Sequence, residues 1–117
     1  MPDYTLATSV HTHPSGAVVV VADGELDHHT APRLIRTLTT LEPTAGLPLV
    51  LDLSGLSFCD SAGLSALVAA YRVAVNAGAP FALAGADRDL TRMLRITGVD
   101  GVFGLYPDVE QAVAARS

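Results

Sequence analysis

The sequence predicts a single α/β domain spanning residues 1–117, with a mixed β-sheet, an opening antiparallel hairpin and about four helices. Short apolar runs alternate with longer segments of helical periodicity. The first two predicted strands are separated only by the Pro-Ser-Gly turn at 14–16. After this hairpin strands and helices alternate, a pattern typical of parallel strands joined by right-handed crossovers.

The composition indicates an ordinary globular core. Half of the 117 residues are hydrophobic, and a domain of this size buries roughly two-thirds of the surface that its unfolded chain exposes. The net charge is −5, with seven arginines and no lysine. Without a basic block or many aromatic rings, the chain is not expected to bind nucleic acid directly.

The single cysteine, Cys59, excludes an internal disulfide and favours a reducing compartment. The first residues lack the basic and apolar regions of a signal peptide. No apolar run approaches the roughly 20 residues that cross a bilayer. We therefore expect a cytoplasmic protein without membrane contact, and a monomer.

The opening hairpin is predicted from two apolar stretches. Tyr4, Leu6 and Val10 indicate a first strand. Residues 17–21 form an uninterrupted apolar run with four β-branched valines, typical of a buried second strand, and the chain turns polar at Asp23.

The first helix is predicted from its start signal and its apolar spacing. Thr30 is a candidate N-cap, and Pro32 suits the first turn. Leu34, Leu38 and Leu41 follow at spacings of four and three, which places them on one face of a helix.

The next pair of elements is a buried strand over 49–53 and a helix from Ser61 to about Ala77, closed by Gly78. Five side chains are expected on the inner face of this helix: Leu64, Leu67, Val68, Tyr71 and Val75.

The remaining elements are a short buried strand over 80–85, a helix over 87–98, a strand over 101–107 and a final helix over 108–117. Asp87 and Gly98 are the expected caps of the third helix, and Val109, Ala112 and Val113 the inner side of the last.

The most informative polar residues are Asp60 and Ser61, which follow a predicted strand and open a helix. Ligands of open α/β sheets lie beyond the carboxyl ends of the strands. Either residue is a good helix N-cap. A hydroxyl at an exposed helix start is also accessible to a kinase, and its phosphate would lie in the favourable field of the helix N-terminus. The two interpretations are compatible, and both remain open.

A catalytic role for Ser61 is disfavoured. The nucleophile elbow of serine hydrolases has glycine two residues before the serine, and this chain has Cys59 there. Cys59 itself is expected to be a buried, unreactive residue at a strand end.

The four histidines do not predict a metal site. His11 and His13 would share one face of a strand, and His28 and His29 begin a loop. Metal sites usually need three or four ligands, so we expect solvent-exposed histidines, no metal and no cofactor.

The polar segment 24–31, "GELDHHTA", joins a predicted strand to a helix. Ordinary loop chemistry explains it. If its strand neighbours the strand at 49–53, however, Asp27 shares an edge of the sheet with Ser61.

Three segments in order, "GELDHHTA", "LVLDLSGLSFCDSAGLSAL" and "RMLRITGVDGVFGLYPDVEQAV", resemble the STAS-domain family. The likeness is to its bacterial anti-sigma-factor antagonists of the sporulation and stress partner-switching type. It implies that an anti-sigma factor, itself an ATP-dependent serine kinase, phosphorylates Ser61. The unphosphorylated antagonist binds the kinase and frees a sigma factor, phosphorylation releases the antagonist, and a serine phosphatase resets it.

The resemblance also implies a partner-binding surface, and it implies that the chain is not an enzyme. The matching residues are Asp27, Asp60, Ser61, Ala62, Gly63 and Leu64. Two positions depart from the family pattern. Many members have a second hydroxyl residue where this chain has Ala62, and a larger apolar residue, often methionine, at Cys59.

An alternative within the same family is a cytoplasmic STAS subunit of a membrane transporter, which shares the fold without the phosphorylation. The Asp-Ser-x-Gly sequence at 60–63 favours the antagonist.

Overall fold

The computed structural model describes residues 6–116. The predicted strand residue Tyr4 lies outside this range. The elements are β1 (Leu6–Thr12), β2 (Val18–Leu26), α1 (Ala31–Leu41), β3 (Leu49–Asp52), β4 (Leu56–Cys59), α2 (Ser61–Ala77), β5 (Phe81–Ala84), α3 (Arg88–Thr97), a 3₁₀ turn (Val99–Gly101), β6 (Gly104–Tyr106) and α4 (Val109–Arg116).

The strands form one mixed sheet in the order β1-β2-β3-β5-β6, and β4 pairs with β2 beside this path. β1 and β2 are antiparallel, whereas the other pairs are parallel. The predicted α/β fold, with its opening hairpin and four helices, is confirmed. The turn at 14–16 closes the hairpin with a hydrogen bond from the His13 N–H to the Ala17 carbonyl, 2.8 Å long.

Strand β4 was not expected from the sequence. β2 is nine residues long; its first half pairs with β3 and its last residues with β4, where Leu26 lies opposite Cys59. Only Leu56 of the four β4 residues is buried. Its sequence, Leu-Ser-Phe-Cys, is neither a continuous apolar run nor a strict alternation, so no local pattern marks it as a strand.

The two faces of the sheet are covered unequally. Helices α1, α2 and α3 supply the larger core, which includes Leu34, Leu67 and Leu94. Helix α4 covers the other face through Ala112 and Val113, against small β-strand residues. The site at the start of α2 is thus held by the larger core.

Thr30 lies at the N-cap position of α1 as expected, but without the expected capping contact. The Thr30 side chain makes no capping hydrogen bond to α1. It is buried, and its hydroxyl instead donates to the Glu25 carbonyl at 2.8 Å. In contrast, Asp87 caps α3 by accepting the Leu90 N–H, and Gly78 and Gly98 end their helices at φ 74° and 83° as expected.

The expected inner face of α2 is wrong at Val75, whose side chain is 51% exposed. Leu67 is fully buried, and Leu64, Val68 and Tyr71 are partly buried against the core. Alanines and glycine supply the rest of the inner face: Gly63, Ala66, Ala70 and Ala74. Because apolar residues occur around most of this helix, their spacing does not single out the buried face.

Alanine substitutions at Leu67 and Val75 test the assigned burial of these two side chains. We expect Leu67→Ala to lower the free energy of unfolding by about 2–5 kcal/mol, because it leaves a cavity in the core. Val75→Ala should cost about 0.5 kcal/mol or less, because its side chain already contacts water. Urea denaturation monitored by circular dichroism measures both values, and equal losses would contradict the assigned burial.

Candidate functional site

The ends of β2 and β4 bring two aspartates to one edge of the sheet. Leu26 and Cys59 are paired residues of these parallel strands, so Asp27 and Asp60 leave the sheet side by side. The Asp60 N–H donates to the Leu26 carbonyl at 3.3 Å, which extends the pairing by one residue. The structure therefore places Asp27 next to the turn that presents Ser61.

Asp27 organises the loop before α1. Its Oδ1 accepts the N–H groups of His29 and Thr30 at 2.9 and 3.0 Å and lies 3.2 Å from the Thr30 hydroxyl. Desolvation raises the pKa of the Asp27 carboxyl, but the hydrogen bonds from Thr30 and His29 outweigh it and hold that pKa below its ordinary value. The loop therefore presents a fixed negative charge at neutral pH.

Asp60, rather than Ser61, caps helix α2. The Asp60 Oδ1 accepts the Gly63 N–H at 2.9 Å, and the Asp60 backbone is extended as in other N-cap residues. Ser61 is the first helical residue, and its side chain is exposed. Within residues 6–116, its hydroxyl makes no hydrogen bond to another residue. The cap and the free hydroxyl are thus two adjacent side chains.

Gly63 sets how closely α2 approaches the sheet. It is buried, and a Cβ at this position would collide with the Leu26 carbonyl oxygen and lie 2.8 Å from the Cys59 Sγ. Ala62 and Leu64 on either side are partly buried. A glycine is therefore required by contact with β2 and β4, and not by an unusual backbone angle.

Cys59 lies beneath the turn as a half-buried free thiol. Burial, and then the negative charges of Asp60 and Asp87, raise the pKa of this thiol to about 11. It therefore remains protonated at neutral pH, which is typical of an unreactive cysteine.

The contacts of His13, His28 and His29 are with residues other than Ser61. His28 and His29 stack on each other with ring centroids 3.9 Å apart, and His13 pairs with Glu110 at 3.0 Å. Among the hydrogen bonds of residues 6–116, none joins a histidine to Ser61, so no general base contacts this hydroxyl.

Residues 6–116 show neither a metal centre nor a helix that could span a membrane. Within that range, no group of three or more His, Cys, Asp or Glu side chains is arranged to hold a metal ion. The helices there are too short or too polar for any of them to cross a membrane.

One feature next to this site was not expected from the sequence. Phe58, on β4, has a side chain that is 50% exposed, and it faces the start of α3 near Asp87. The only signal in the sequence is an aromatic residue next to Ser57, and this pattern also occurs in buried strands.

Comparison with known proteins gives a consistent set of matches. The sequence matches the STAS domain family over residues 9–112. It is 30% identical over 106 residues to Anti-sigma-F factor antagonist RsfA of Mycobacterium tuberculosis, covering 88% of this chain and 82% of that protein. It is 26% identical over 102 residues to Anti-sigma F factor antagonist of Paenibacillus polymyxa, covering 86% and 87%.

The structural matches agree with the sequence matches. The crystal structure of an anti-sigma factor antagonist from Mycobacterium paratuberculosis superimposes with a TM-score of 0.84 and 34% identity, covering 99% of this chain and 97% of that one. Phosphorylated Bacillus SpoIIAA has a TM-score of 0.70 at 20% identity, covering 93% and 98%. The crystal structure of a sulfate transporter family protein from Wolinella succinogenes superimposes with a TM-score of 0.72 and 21% identity, covering 84% of this chain and 82% of that one. The last two likenesses concern the fold alone.

The close approach at Gly63 can be tested with a matched pair of glycine variants. Gly63→Ala should destabilise the protein by about 1–3 kcal/mol through overpacking, although alanine's helix propensity offsets part of this loss. Gly101→Ala adds the same methyl group where no atom lies within 4 Å, so it should be neutral or stabilise by up to about 1 kcal/mol.

Thermal unfolding of both variants beside the parent chain measures these differences. A Gly63→Ala protein as stable as Gly101→Ala would contradict the contact between α2 and the end of β2.

Proposed function

The chain belongs to the STAS domain family, and we propose that it is an anti-sigma-factor antagonist whose partner binding is switched by phosphorylation of Ser61. The names of the relatives support the antagonist role. The observation that supports the proposed switch is the exposed Ser61 hydroxyl at the first position of α2. This hydroxyl is left free because Asp60 supplies the cap.

The proposed reaction is an ordinary phosphoryl transfer. The Ser61 Oγ attacks the γ-phosphorus of ATP bound to a partner kinase, ADP leaves, and the hydroxyl proton passes to the kinase. This chain is the phosphoryl acceptor and holds no nucleotide itself. A serine phosphatase restores the hydroxyl by hydrolysis.

The location explains how a phosphate is tolerated by the fold. Phosphorylation adds about −1.5 to −2 charges. The first turn of α2 contains no acidic residue, and the partial positive charge of the helix N-terminus favours an anion there. Asp60 and Asp27 oppose the new charge, but their side chains are already engaged with backbone N–H groups. The fold therefore survives while the surface changes.

The consequence for a partner is a change from an uncharged hydroxyl to a dianionic phosphate at residue 61. In the proposal, the anti-sigma kinase docks on the edge formed by Asp27 and residues 60–64 while Ser61 is unmodified, and a sigma factor is freed in the cytoplasm. A phosphate inside that contact would have to be desolvated, so the complex separates. Ala62 leaves Ser61 as the sole acceptor in the segment 60–63.

The transporter alternative makes a different prediction about residue 61. A STAS subunit of a transporter would bind a permease whatever the charge at this position. Recovery of such a partner, indifferent to substitution of Ser61, would replace the proposal.

Variants of Ser61 test the switch, with Ser65 as the matched control. Ser65 is an exposed serine one turn along the same helix. Ser61→Ala should abolish phosphate incorporation from ATP and retain kinase binding, because residue 61 stays uncharged. Ser61→Glu should weaken binding by about tenfold or more, because a buried, unpaired charge is costly. Ser65→Ala should behave as wild type in both respects.

The measurement begins with affinity capture from source-cell lysate, followed by mass spectrometry of the captured proteins. The recovered ATP-dependent kinase is then incubated with each variant and ATP, and phosphopeptides are mapped. Phosphate on Ser61→Ala would show that the acceptor is another residue. Unchanged affinity of Ser61→Glu would show that charge is not the switch.

A further inference from the structure

A cleft of about 230 Å³ lies between β4 and the start of α3. Apolar side chains of β4 and α3 line it together with Ser57 and two aspartates; the apolar residues are Leu56, Phe58, Cys59, Leu90 and Met93. Small-molecule sites usually occupy about 300–1,000 Å³. This cleft therefore has room for one or two amino-acid side chains.

The apolar part of the cleft is open to water. Phe58 is 50% exposed, although an aromatic ring is among the most costly side chains to leave solvated. Met93, on the opposite wall, is only partly buried. A partner side chain entering between them would remove apolar surface on both walls from water.

The open edge of the cleft is acidic. Asp89 is exposed and makes no hydrogen bond or ion pair within the described residues, whereas Asp87 uses its Oδ1 to cap α3. The charges of Asp60 and Asp87 also reach the Cys59 thiol in the cleft and raise its pKa.

The arginines of α3 do not line the cleft. Arg88, Arg92 and Arg95 line a neighbouring depression that Asp89 borders as well, and within the described residues none of them forms an ion pair with Asp89. The cleft thus combines an apolar interior with a negative edge, and its complement is an apolar side chain next to a lysine or arginine.

The cleft is continuous with the proposed phosphorylation site. Cys59 lines it, and Ser61 follows two residues later on the same turn. A protein that places a catalytic centre over the Ser61 hydroxyl therefore binds within two residues of the cleft lining.

We infer that the cleft between β4 and α3 is a docking site for the kinase, which inserts one apolar side chain between Phe58 and Met93 and pairs an adjacent lysine or arginine with Asp89. The inference rests on the proposed function, because the occupant is the kinase that phosphorylates Ser61. The contact leaves Ser61 itself free. It contributes to affinity in either phosphorylation state and helps to select the partner.

Two variants of the cleft test the inference against two matched controls. Phe58→Ala removes half-exposed apolar surface, as does Val75→Ala near the far end of α2. Asp89→Arg reverses an exposed charge, as does Glu42→Arg beyond the end of α1. Isothermal titration calorimetry with the purified kinase should show binding weakened by about tenfold for each cleft variant. Binding should be unchanged within about twofold for each control, with circular dichroism confirming the fold of all four.

The salt dependence gives a second readout. Binding of the wild-type chain should weaken as salt is raised, and Asp89→Arg should reduce this dependence because it removes the attractive pair. Asp89 is exposed, so this variant remains informative even if Phe58→Ala does not fold.

The outcomes distinguish the two proposals. Wild-type affinity in both cleft variants, with Ser61 still phosphorylated, would overturn the docking site alone. Absence of kinase binding and of Ser61 phosphorylation in the wild-type chain would overturn the proposed function and the docking site with it. Dimerisation of the wild-type chain that is abolished by Phe58→Ala would show that a second copy occupies the cleft, which also overturns the inference.

Discussion

The site depends on one contact, the approach of helix α2 to the carbonyl of Leu26 at the end of β2. The Asp60 N–H donates to that carbonyl, and Gly63 passes over it with no Cβ to keep the helix away. Strand β4 is short, but it aligns Cys59 with Leu26 and so delivers the chain to this point. Because α2 also packs against the larger core, the first turn of the helix is fixed in position.

This constraint separates two tasks that one residue could not perform together. A capping side chain is committed to a backbone N–H, whereas a phosphoacceptor must have a free hydroxyl. Asp60 performs the first task, which leaves the Ser61 hydroxyl free for the second task in the proposed function. The Asp27 loop, held by its own hydrogen bonds, lies beside them as a rigid part of the same surface. Modification of Ser61 can therefore alter recognition without a rearrangement of the sheet.

Local patterns predicted much of this arrangement, and long-range pairing decided the rest. The apolar runs and the caps at Asp87 and Gly98 follow from short-range chemistry. The choice between Asp60 and Ser61 as the cap does not follow from short-range chemistry. Both residue types are good caps, and only the backbone direction decides between them. Thr30 fails as a cap because its hydroxyl meets the Glu25 carbonyl. Strand β4 and the contact at Gly63 arise from the pairing of residues more than 30 positions apart, which no local window contains.

The most direct measurement compares backbone amide chemical shifts of the chain before and after phosphorylation of Ser61. We expect changes at Asp27 and over residues 60–64, with β3 and β5 unchanged, because the phosphate lies on a surface whose supporting contacts stay intact. Changes spread through β3 and β5 would contradict this, since they would mean that the switch acts by refolding the sheet. Unchanged chemical shifts at Asp27 and over residues 60–64 would equally contradict the account, because the phosphate would then lie elsewhere.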